Sequence, residues 1–363
     1  MANNSLDKAR KEINEIDKQM AELFVKRMHA AEAVAEYKKE RGLAILDEAR
    51  EEEVVRRNSA YIEDEEIREY YVNFLRGNMA VSRAYQSRLM QGMKVAFSGT
   101  EGAFAHIAAS KLYPTAEKIS YGDFASAYHA AESGKCDIAV LPVENSYNGE
   151  VGQVTDLMFS GSLYVNGMFD LPVTQDLLAK RGVSIDEIRE VVSHPQAFGQ
   201  CAEYIMRHGF TRHEFANTAL AAKWVAEEAD RSVAAIASRE AAEIFGLDVI
   251  DHDINESKSN STRFAIFSKV ANKRIAKDSG VHSILLFTVR NEAGALAKAI
   301  DVIGRHGFNM RTLRSRPMKE LLWQYYFYVE VEGNVQSEAG SSLIESLGEF
   351  CDKLKFAGTY IKL

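Results

Sequence analysis

Thr262 and Arg263 place a hydroxyl beside a guanidinium in the stretch NSTRF, between a polar loop and the apolar run FAIFSKV. A positioned hydroxyl can assist a departing group by hydrogen bonding, and a guanidinium is a natural partner for carboxylates. The simpler interpretation of such a pair alone is a strand boundary, where Ser, Thr and Asn bond the local backbone. Support for chemistry must therefore come from the rest of the chain.

A second set of polar residues lies at helical spacing in residues 5–91. Arg27 and Lys38 are three turns apart, so they share one helix face at a separation of about 16 Å. Arg10 points about 100° away from Arg27, so it would face another protomer. Two further groups have i, i+3 or i+4 spacing: Asp47, Arg50 and Glu51, then Ser82 and Gln86. A solvated face with ordinary ion pairs is the alternative, which periodicity alone favours.

Three helices must position this second set. The first is predicted from about residue 6 to 40, which makes it roughly 50 Å long. The prediction rests on apolar residues that recur at helical spacing: Leu6, Ile13, Ile16, Met20, Leu23, Phe24 and Ala31. Arg41-Gly42 ends it, and helices over about 47–59 and 65–91 follow. A helix of that length cannot bury its apolar stripe on two shorter neighbours. We therefore predict an intertwined dimer.

From Met93 the sequence changes to short β-rich runs separated by helix-like stretches. The runs are KVAFSG, CDIAVLPVE, EVVSH, VAAIAS and RFAIFS, an alternation typical of an α/β domain with mostly parallel strands. Polar loops follow several strands: GTEGAFAH, ENSYNG, SHPQAF and NTALAA. Such loops lie where open sheets bind ligands, and several begin helices whose N-termini suit a carboxylate. Plain turns are the alternative for any one loop; together they predict a small-acid pocket.

Residues 272–280, NKRIAKDSG, are predicted to be a linker. The following segments, from SILLFTVR to AGTYIKL, alternate in the order β–α–β–β–α–β, which is the ferredoxin-like split motif. That motif recurs in small-molecule sensor domains, but a fold alone does not establish a function.

Composition excludes several classes of function. The 363 residues carry a net charge of −8, which disfavours nucleic acid as a partner. No apolar run reaches the roughly 18–20 residues of a membrane span, and the N-terminus has no apolar signal core, so a cytoplasmic protein is expected. Three distant cysteines predict free thiols. Nine histidines form no ligand motif, so no metal is expected, and the family resemblances that follow imply that no cofactor is needed.

The helical segment resembles the all-helical chorismate mutases, through ARKEINEID, VKRMHAAEAVAEYK, LDEAREEE and VSRAYQ. The resemblance implies that arginines, Arg10 being lent across the dimer, hold the substrate's two carboxylates with Ser82 assisting. Lys38 and Gln86 would donate to the ether oxygen, while Asp47 and Glu51 orient the ring hydroxyl. Arg27 and Arg50 complete the set of matched residues. A pericyclic rearrangement needs only a compact conformer and stabilisation of charge on the breaking ether.

The middle segment resembles prephenate dehydratase, through LPVENSYNG, SHPQAFGQC, the Asn217-Thr218 helix entry and NSTRF. The resemblance implies that Thr262 assists loss of the ring hydroxyl while a carboxylate leaves as CO2. The pocket would be lined by five further residues, Glu144, Asn145, Ser193, Gln200 and Thr218, with electrostatic support from Arg263. Four positions depart from the family pattern: Ala103, Ala105, Met168 and Gln175.

The C-terminal segment resembles an ACT regulatory domain. Gly294, Ala295 and Leu296 match the glycine-bearing helix start that receives phenylalanine in relatives, and Ser315 and Arg316 match a second signature. Arg314 replaces the glutamate usual in that signature, and Arg311 also departs from the pattern. We expect Arg314 to weaken phenylalanine binding by repelling its ammonium group. A cap and a turn are the alternative for these residues.

These resemblances imply a multidomain enzyme that takes chorismate through prephenate to phenylpyruvate under feedback by L-phenylalanine. The expected domains are an all-α mutase at 1–92, an α/β periplasmic-binding-protein-like dehydratase at 93–271, and an α+β ferredoxin-like ACT domain at 280–363. A homodimer or higher homo-oligomer is expected. One alternative is an active mutase with a degenerate dehydratase used for ligand sensing. Another is a non-catalytic small-acid sensor that dimerises through its helices.

Overall fold

The computed structural model describes residues 2–257, 259–272, 280–318 and 324–363. The chain forms two compact units, Met1–Met93 and Lys94–Leu363. Most of the predicted linker, residues 273–279, lies outside the described residues, as does Trp323 of one predicted strand. None of the described helices is long and apolar enough to cross a membrane.

The first unit consists of three helices: α1 (Ala2–Glu40), α2 (Glu48–Ser59) and α3 (Glu65–Gln91). These bounds agree closely with the predicted ones, and aspartates cap two of the starts. Asp47 caps α2 by accepting a hydrogen bond from the Arg50 backbone N–H at 3.0 Å. Asp64 caps α3 in the same way. Such caps satisfy backbone donors that a helix start leaves unpaired.

The apolar stripe of α1 is largely uncovered within one chain. Six of its seven predicted members are 43–63 % exposed: Leu6, Ile13, Ile16, Met20, Leu23 and Phe24. Only Ala31 of the stripe is buried. An exposed apolar stripe of this length is unusual for a monomer and marks an interaction surface.

The second unit begins with a mixed sheet. Its strands, in chain order, are β1 (Lys94–Ser98), β2 (Glu117–Tyr121), β3 (Ile138–Asn145), β4 (Gly149–Glu150), β5 (Tyr164–Pro172) and β11 (Ser261–Ser268). They lie in the order β2-β1-β3-β11-β5, with β4 paired to β3. The helices of this lobe are α4 (Phe104–Leu112), α5 (Phe124–Ser133) and α6 (Gly152–Ser160).

A second sheet, with five strands, is inserted in the sequence between β5 and β11. Its strands are β6 (Asp176–Ala179), β7 (Glu190–Ser193), β8 (Thr211–Glu214), β9 (Val233–Ala237) and β10 (Asp248–Asp251), in the order β10-β6-β9-β7-β8. Its helices are α7 (Pro195–Gln200), α8 (Ala202–His208), α9 (Thr218–Glu227) and α10 (Arg239–Phe245). The chain thus crosses between the lobes twice, which leaves a cleft between them.

The expectation of mostly parallel strands is wrong for part of each sheet. β1, β2 and β3 are parallel, as are β7, β8 and β9. β11 instead runs antiparallel to both β3 and β5, because it returns from the second lobe. That return places NSTRF directly against ENS.

The C-terminal segment forms the predicted β–α–β–β–α–β order. Its elements are β12 (Val281–Val289), α11 (Ala295–Arg305), β13 (Met310–Pro317), β14 (Tyr325–Glu332), α12 (Glu338–Gly348) and β15 (Cys351–Ile361). The antiparallel sheet has the order β13-β14-β12-β15, which is the ferredoxin-like arrangement.

This C-terminal sheet shares one hydrophobic core with the first lobe. Leu286, Tyr326 and Tyr360 of the sheet pack in the same cluster as Leu141 and Phe267. The two backbones also approach closely, since a Cβ at Gly358 would lie 2.2 Å from the Val165 carbonyl oxygen. Only glycine permits such an approach, so β15 packs directly on the first lobe.

Candidate active sites

In the helical unit, Arg27 of α1 meets Ser82 of α3. Arg27 Nη1 donates to Ser82 Oγ and, at 3.4 Å, to the Asn78 carbonyl oxygen. Gln86 follows one turn after Ser82, and both are buried. Gln86 Oε1 lacks a hydrogen-bond partner among the residues that the structure describes. A buried amide oxygen without a partner is costly, so this face suits a polar ligand.

A groove of about 720 Å³ runs beside this pair, between α1 and α3. Arg27 and Asn78 line it together with apolar residues, among them Met20, Phe24 and Phe74. The exposed stripe of α1 forms one wall of the groove.

The other predicted mutase residues surround the start of α2. Lys38 Nζ donates to the Ile45 carbonyl oxygen at 2.5 Å, and Asp47 is the helix cap described above. Glu51 pairs with Arg83, and Arg50 pairs with Glu53 at 2.6 Å. Asp47, Arg50 and Glu51 thus lie at the start of one helix, and each makes a different contact.

Arg83 is a residue that the sequence reasoning missed. It directly follows Ser82, and its i, i+1 relation to Ser82 would place it on another face of α3. The opposite charge on α2 is the only signal that could have found it.

Arg10 is exposed on α1. At 1.5 Å per residue it lies about 25 Å along the helix from Arg27. One chain cannot bring both guanidinium groups to the same small ligand.

In the second unit, Asn145 of β3 pairs across the sheet with Thr262 of β11. Asn145 Nδ2 lies 2.9 Å from Thr262 Oγ1, 3.1 Å from Asn260 Oδ1 and 3.2 Å from the Ser261 carbonyl oxygen. Because Thr262 Oγ1 accepts from Asn145, its own proton is available to a group in the cleft. Asn260, the first residue of NSTRF, is also a buried member of this site. The motif predicted no role for it.

The cleft between the lobes has a volume of about 470 Å³. Four predicted residues line it: Asn145, Gln200, Thr218 and Thr262. Phe104 begins α4 on the first lobe, and Thr218 begins α9 on the second, with Asn217 capping α9. The unpaired N–H groups of helix starts attract carboxylates. The cleft therefore combines anion-binding backbone with a positioned hydroxyl.

The structure places Glu144 and Arg263 away from the cleft, contrary to their expected roles as lining and electrostatic support. Adjacent residues of a strand point to opposite faces, so Glu144 and Arg263 face the C-terminal sheet. There Arg263 Nε donates to Asp170 at 2.8 Å. This hydrogen bond holds the pKa of Asp170 below its ordinary value.

Ser193 also lies away from the cleft lining. It is fully buried, and its Oγ donates to the Ile236 carbonyl oxygen at 2.6 Å. This bond ties β7 to β9.

The four departures from the family pattern have different consequences. Ala103 is the N-cap of α4 and makes no side-chain cap hydrogen bond, while Ala105 is buried behind it. Met168 is buried within β5. Gln175 lines the cleft and donates to Gln200 Oε1 at 3.2 Å. Ala103 and Gln175 therefore line the cleft, and Ala105 lines an adjoining pocket that also contains Thr262.

The predicted regulatory residues divide into two groups. Gly294 caps α11 at a φ of 82° in an exposed position, and Ala295 and Leu296 begin that helix. Ser315 is exposed on β13. Arg316, by contrast, faces the first lobe, with its Nε 3.0 Å from Asp156 Oδ1.

These features define a protein with two separate polar sites for small carboxylic acids, one on helices and one in a two-lobed cleft. Residues 9–87 match the chorismate mutase type II family, and residues 95–272 match the prephenate dehydratase family.

A bifunctional chorismate mutase/prephenate dehydratase from Neisseria gonorrhoeae is 31% identical over 358 residues, covering 97% of this chain and 95% of that protein. Among solved structures, GqqA, described as a novel type of quorum quenching acylase, has a TM-score of 0.69 at 28% identity and covers 74% of this chain and 98% of that one. Prephenate dehydratase from Arthrobacter aurescens in complex with L-Phe has a TM-score of 0.68 at 24% identity, covering 74% and 90%. The chain belongs to the bifunctional chorismate mutase/prephenate dehydratase family.

Proposed function

We propose that this chain rearranges chorismate to prephenate in its helical unit and converts prephenate to phenylpyruvate in its cleft, as part of phenylalanine biosynthesis. Membership of the bifunctional family supports both activities. The observation that carries the second activity is the Thr262 hydroxyl, held by Asn145 at the edge of a cleft rich in anion-binding groups.

The mutase reaction breaks an ether C–O bond and forms a C–C bond within one molecule. Arg27, assisted by Ser82, would grip a carboxylate, and Lys38 and Gln86 would donate to the ether oxygen as negative charge grows there. Asp47 and Glu51 would orient the ring hydroxyl, and Arg50 would add positive charge. Glu51 pairs with Arg83, so it would have to exchange partners to reach the ring hydroxyl.

Completion of this site requires a second copy of the chain. The 25 Å offset of Arg10 and the uncovered stripe of α1 both fit a homodimer in which each protomer lends Arg10 to its partner. The groove beside Arg27 is the surface that the second α1 would fill.

The dehydratase reaction removes a carboxylate and a hydroxyl from prephenate. Electrons of the breaking C–C bond enter the ring as CO2 leaves, the C–O bond breaks, and the departing hydroxyl takes up a proton to leave as water. Thr262 would donate a hydrogen bond to that oxygen as charge develops. Helix starts at Phe104 and Thr218, with Gln200, would hold the remaining carboxylate.

The C-terminal segment serves as an ACT domain that binds L-phenylalanine. The L-Phe complex of the structurally similar Arthrobacter protein supports this role, as does the exposed Gly294, where a ligand can approach the backbone. Arg314 and Arg316 pair with carboxylates of the first lobe, so the expected repulsion between Arg314 and the amino acid's ammonium group does not fit this structure.

The decisive experiment supplies the protein with chorismate and follows prephenate and phenylpyruvate separately. We expect both to form, prephenate first, with phenylpyruvate formation inhibited by added L-phenylalanine. Prephenate that accumulates without phenylpyruvate would refute the dehydratase assignment and favour a ligand-sensing domain.

A further inference from the structure

Strand β13 points two arginines at the first lobe. Because side chains alternate along a strand, Arg314 and Arg316 share one face while Ser315 points away. Arg314 Nη2 donates to Glu144 on β3. Arg316 lies 3.5 Å from Glu150 on β4, the strand that pairs with the end of β3. The two arginines therefore hold both strands of the hairpin that carries Asn145.

Glu144 is shared between two guanidinium groups. Arg314 contacts one carboxylate oxygen, and Arg263 Nη1 lies 3.7 Å from the other. The Tyr328 ring lies below Arg314, 5.9 Å from its guanidinium carbon. All three charged side chains are about 70 % buried or more, so solvent screens their attraction less than on an open surface.

This ion cluster lies on the face of the sheet opposite the Asn145–Thr262 pair of the cleft. Asn145 pairs with Thr262 across the sheet, and Glu144 pairs with Arg263 one position along. The same two backbone segments therefore carry the Asn145–Thr262 hydrogen bond on one face and the Glu144–Arg263 contact on the other. Because Arg314 and Arg263 hold the Glu144 side chain, they also restrain the backbone that positions Asn145, the next residue of β3.

We infer that Arg314 is a positioning residue for prephenate dehydration, acting through Glu144 on the Asn145–Thr262 pair. This inference rests on the proposed dehydratase function. Arg314 reaches no part of the cleft lining itself, so its effect must appear on the rate of the reacting complex more than on substrate binding. The C-terminal domain thus contributes directly to the geometry of the active site.

The test compares Arg314→Met and Arg314→Lys with a matched control, Arg311→Met. Arg311 lies on the same strand but pairs with Glu332 of the C-terminal sheet at 3.0 Å. We expect Arg314→Met to lower the kcat for prephenate by about 10- to 100-fold with a smaller change in KM, since misplacement by about 1 Å has such an effect. Arg314→Lys should recover part of the loss. Arg311→Met should leave both constants unchanged, and every variant should retain mutase activity.

A double-mutant cycle with Glu144→Gln identifies the route of the effect. If Arg314 acts through Glu144, Arg314→Met should cause a much smaller further loss in the Glu144→Gln background. An equal loss in both backgrounds, or an unchanged kcat in folded Arg314→Met protein, would overturn the inference. Failure of the proposed function is distinguishable, because the unaltered protein would then form no phenylpyruvate from prephenate.

Discussion

Replacement of Thr262 by valine tests the dehydratase mechanism with little change in shape. Valine keeps the branched side chain but lacks the hydroxyl that lets Thr262 donate a hydrogen bond to the departing oxygen. Removal of one positioned donor to developing charge typically lowers kcat by about 10²- to 10³-fold, or about 3–4 kcal/mol of transition-state stabilisation. We expect a loss of that size in phenylpyruvate formation.

The structural cost of this substitution should be small. Asn145 Nδ2 keeps two acceptors, Asn260 Oδ1 and the Ser261 carbonyl oxygen, so the hairpin loses one hydrogen bond of about 1 kcal/mol. Thermal melting checks this, and Thr262→Ser, which restores the hydroxyl, is the matched control.

Both activities should be assayed on one preparation. Mutase activity should stay near that of the unaltered protein, because Thr262 belongs to the second compact unit. The expected loss leaves about a hundredth of the original kcat or less. If Thr262→Val keeps more than about a tenth of it, the hydroxyl does not assist the departing group. Parallel loss of both activities in folded protein would show that the two sites are not separable.

Three further predictions concern the dimer, the interface and pH. Arg10→Ala and Lys38→Ala should each abolish mutase activity alone, whereas heterodimers of the two should regain part of it; verified heterodimers without activity would exclude a shared site. Gly358→Ala should lower the thermal midpoint by several degrees, because its φ of 141° and the 2.2 Å approach to Val165 leave no room for a Cβ. Gly348→Ala, with open space around it, is the control, and equal midpoints for the two variants would contradict this close packing. Burial lowers the pKa of His282 despite the nearby Glu330, so the imidazole binds a proton more readily in the unfolded chain than in the folded one. The free energy of unfolding should therefore fall as the pH drops below about 6.5. His282→Gln should reduce that fall in denaturant titrations, and an identical pH dependence would assign it to other groups.

Local periodicity predicted the helical unit almost residue by residue. The stripe of α1 and the aspartate caps at Asp47 and Asp64 are local signals, and they need no knowledge of the tertiary structure. Edge strands gave no such signal, since β8 is exposed at all four residues. The antiparallel return of β11 was missed because strand direction depends on the intervening lobe.

Sequence motifs were enough to predict candidate residues of the site, but the contacts and orientations of those residues depend on the folded geometry. Thr262 and Asn145 were found by motif, but their contact across 117 residues depends on strand register. Glu144 and Arg263 were assigned to the wrong face, although strand alternation forbids neighbours such as Thr262 and Arg263 from sharing one. The partners Arg83 and Arg314 come from distant segments and could emerge only from the folded chain.

The common core of the first lobe and the C-terminal sheet limits how this chain can be divided. A fragment that starts near Lys94 keeps every contact of the second unit, so a free-standing dehydratase is a feasible product of gene fission. A fragment that stops near Asn272 would instead expose the faces that Leu141 and Phe267 now bury against Tyr326 and Tyr360. Such a truncated lobe should aggregate, so any gene split or domain exchange must carry the first lobe and the C-terminal sheet as one piece.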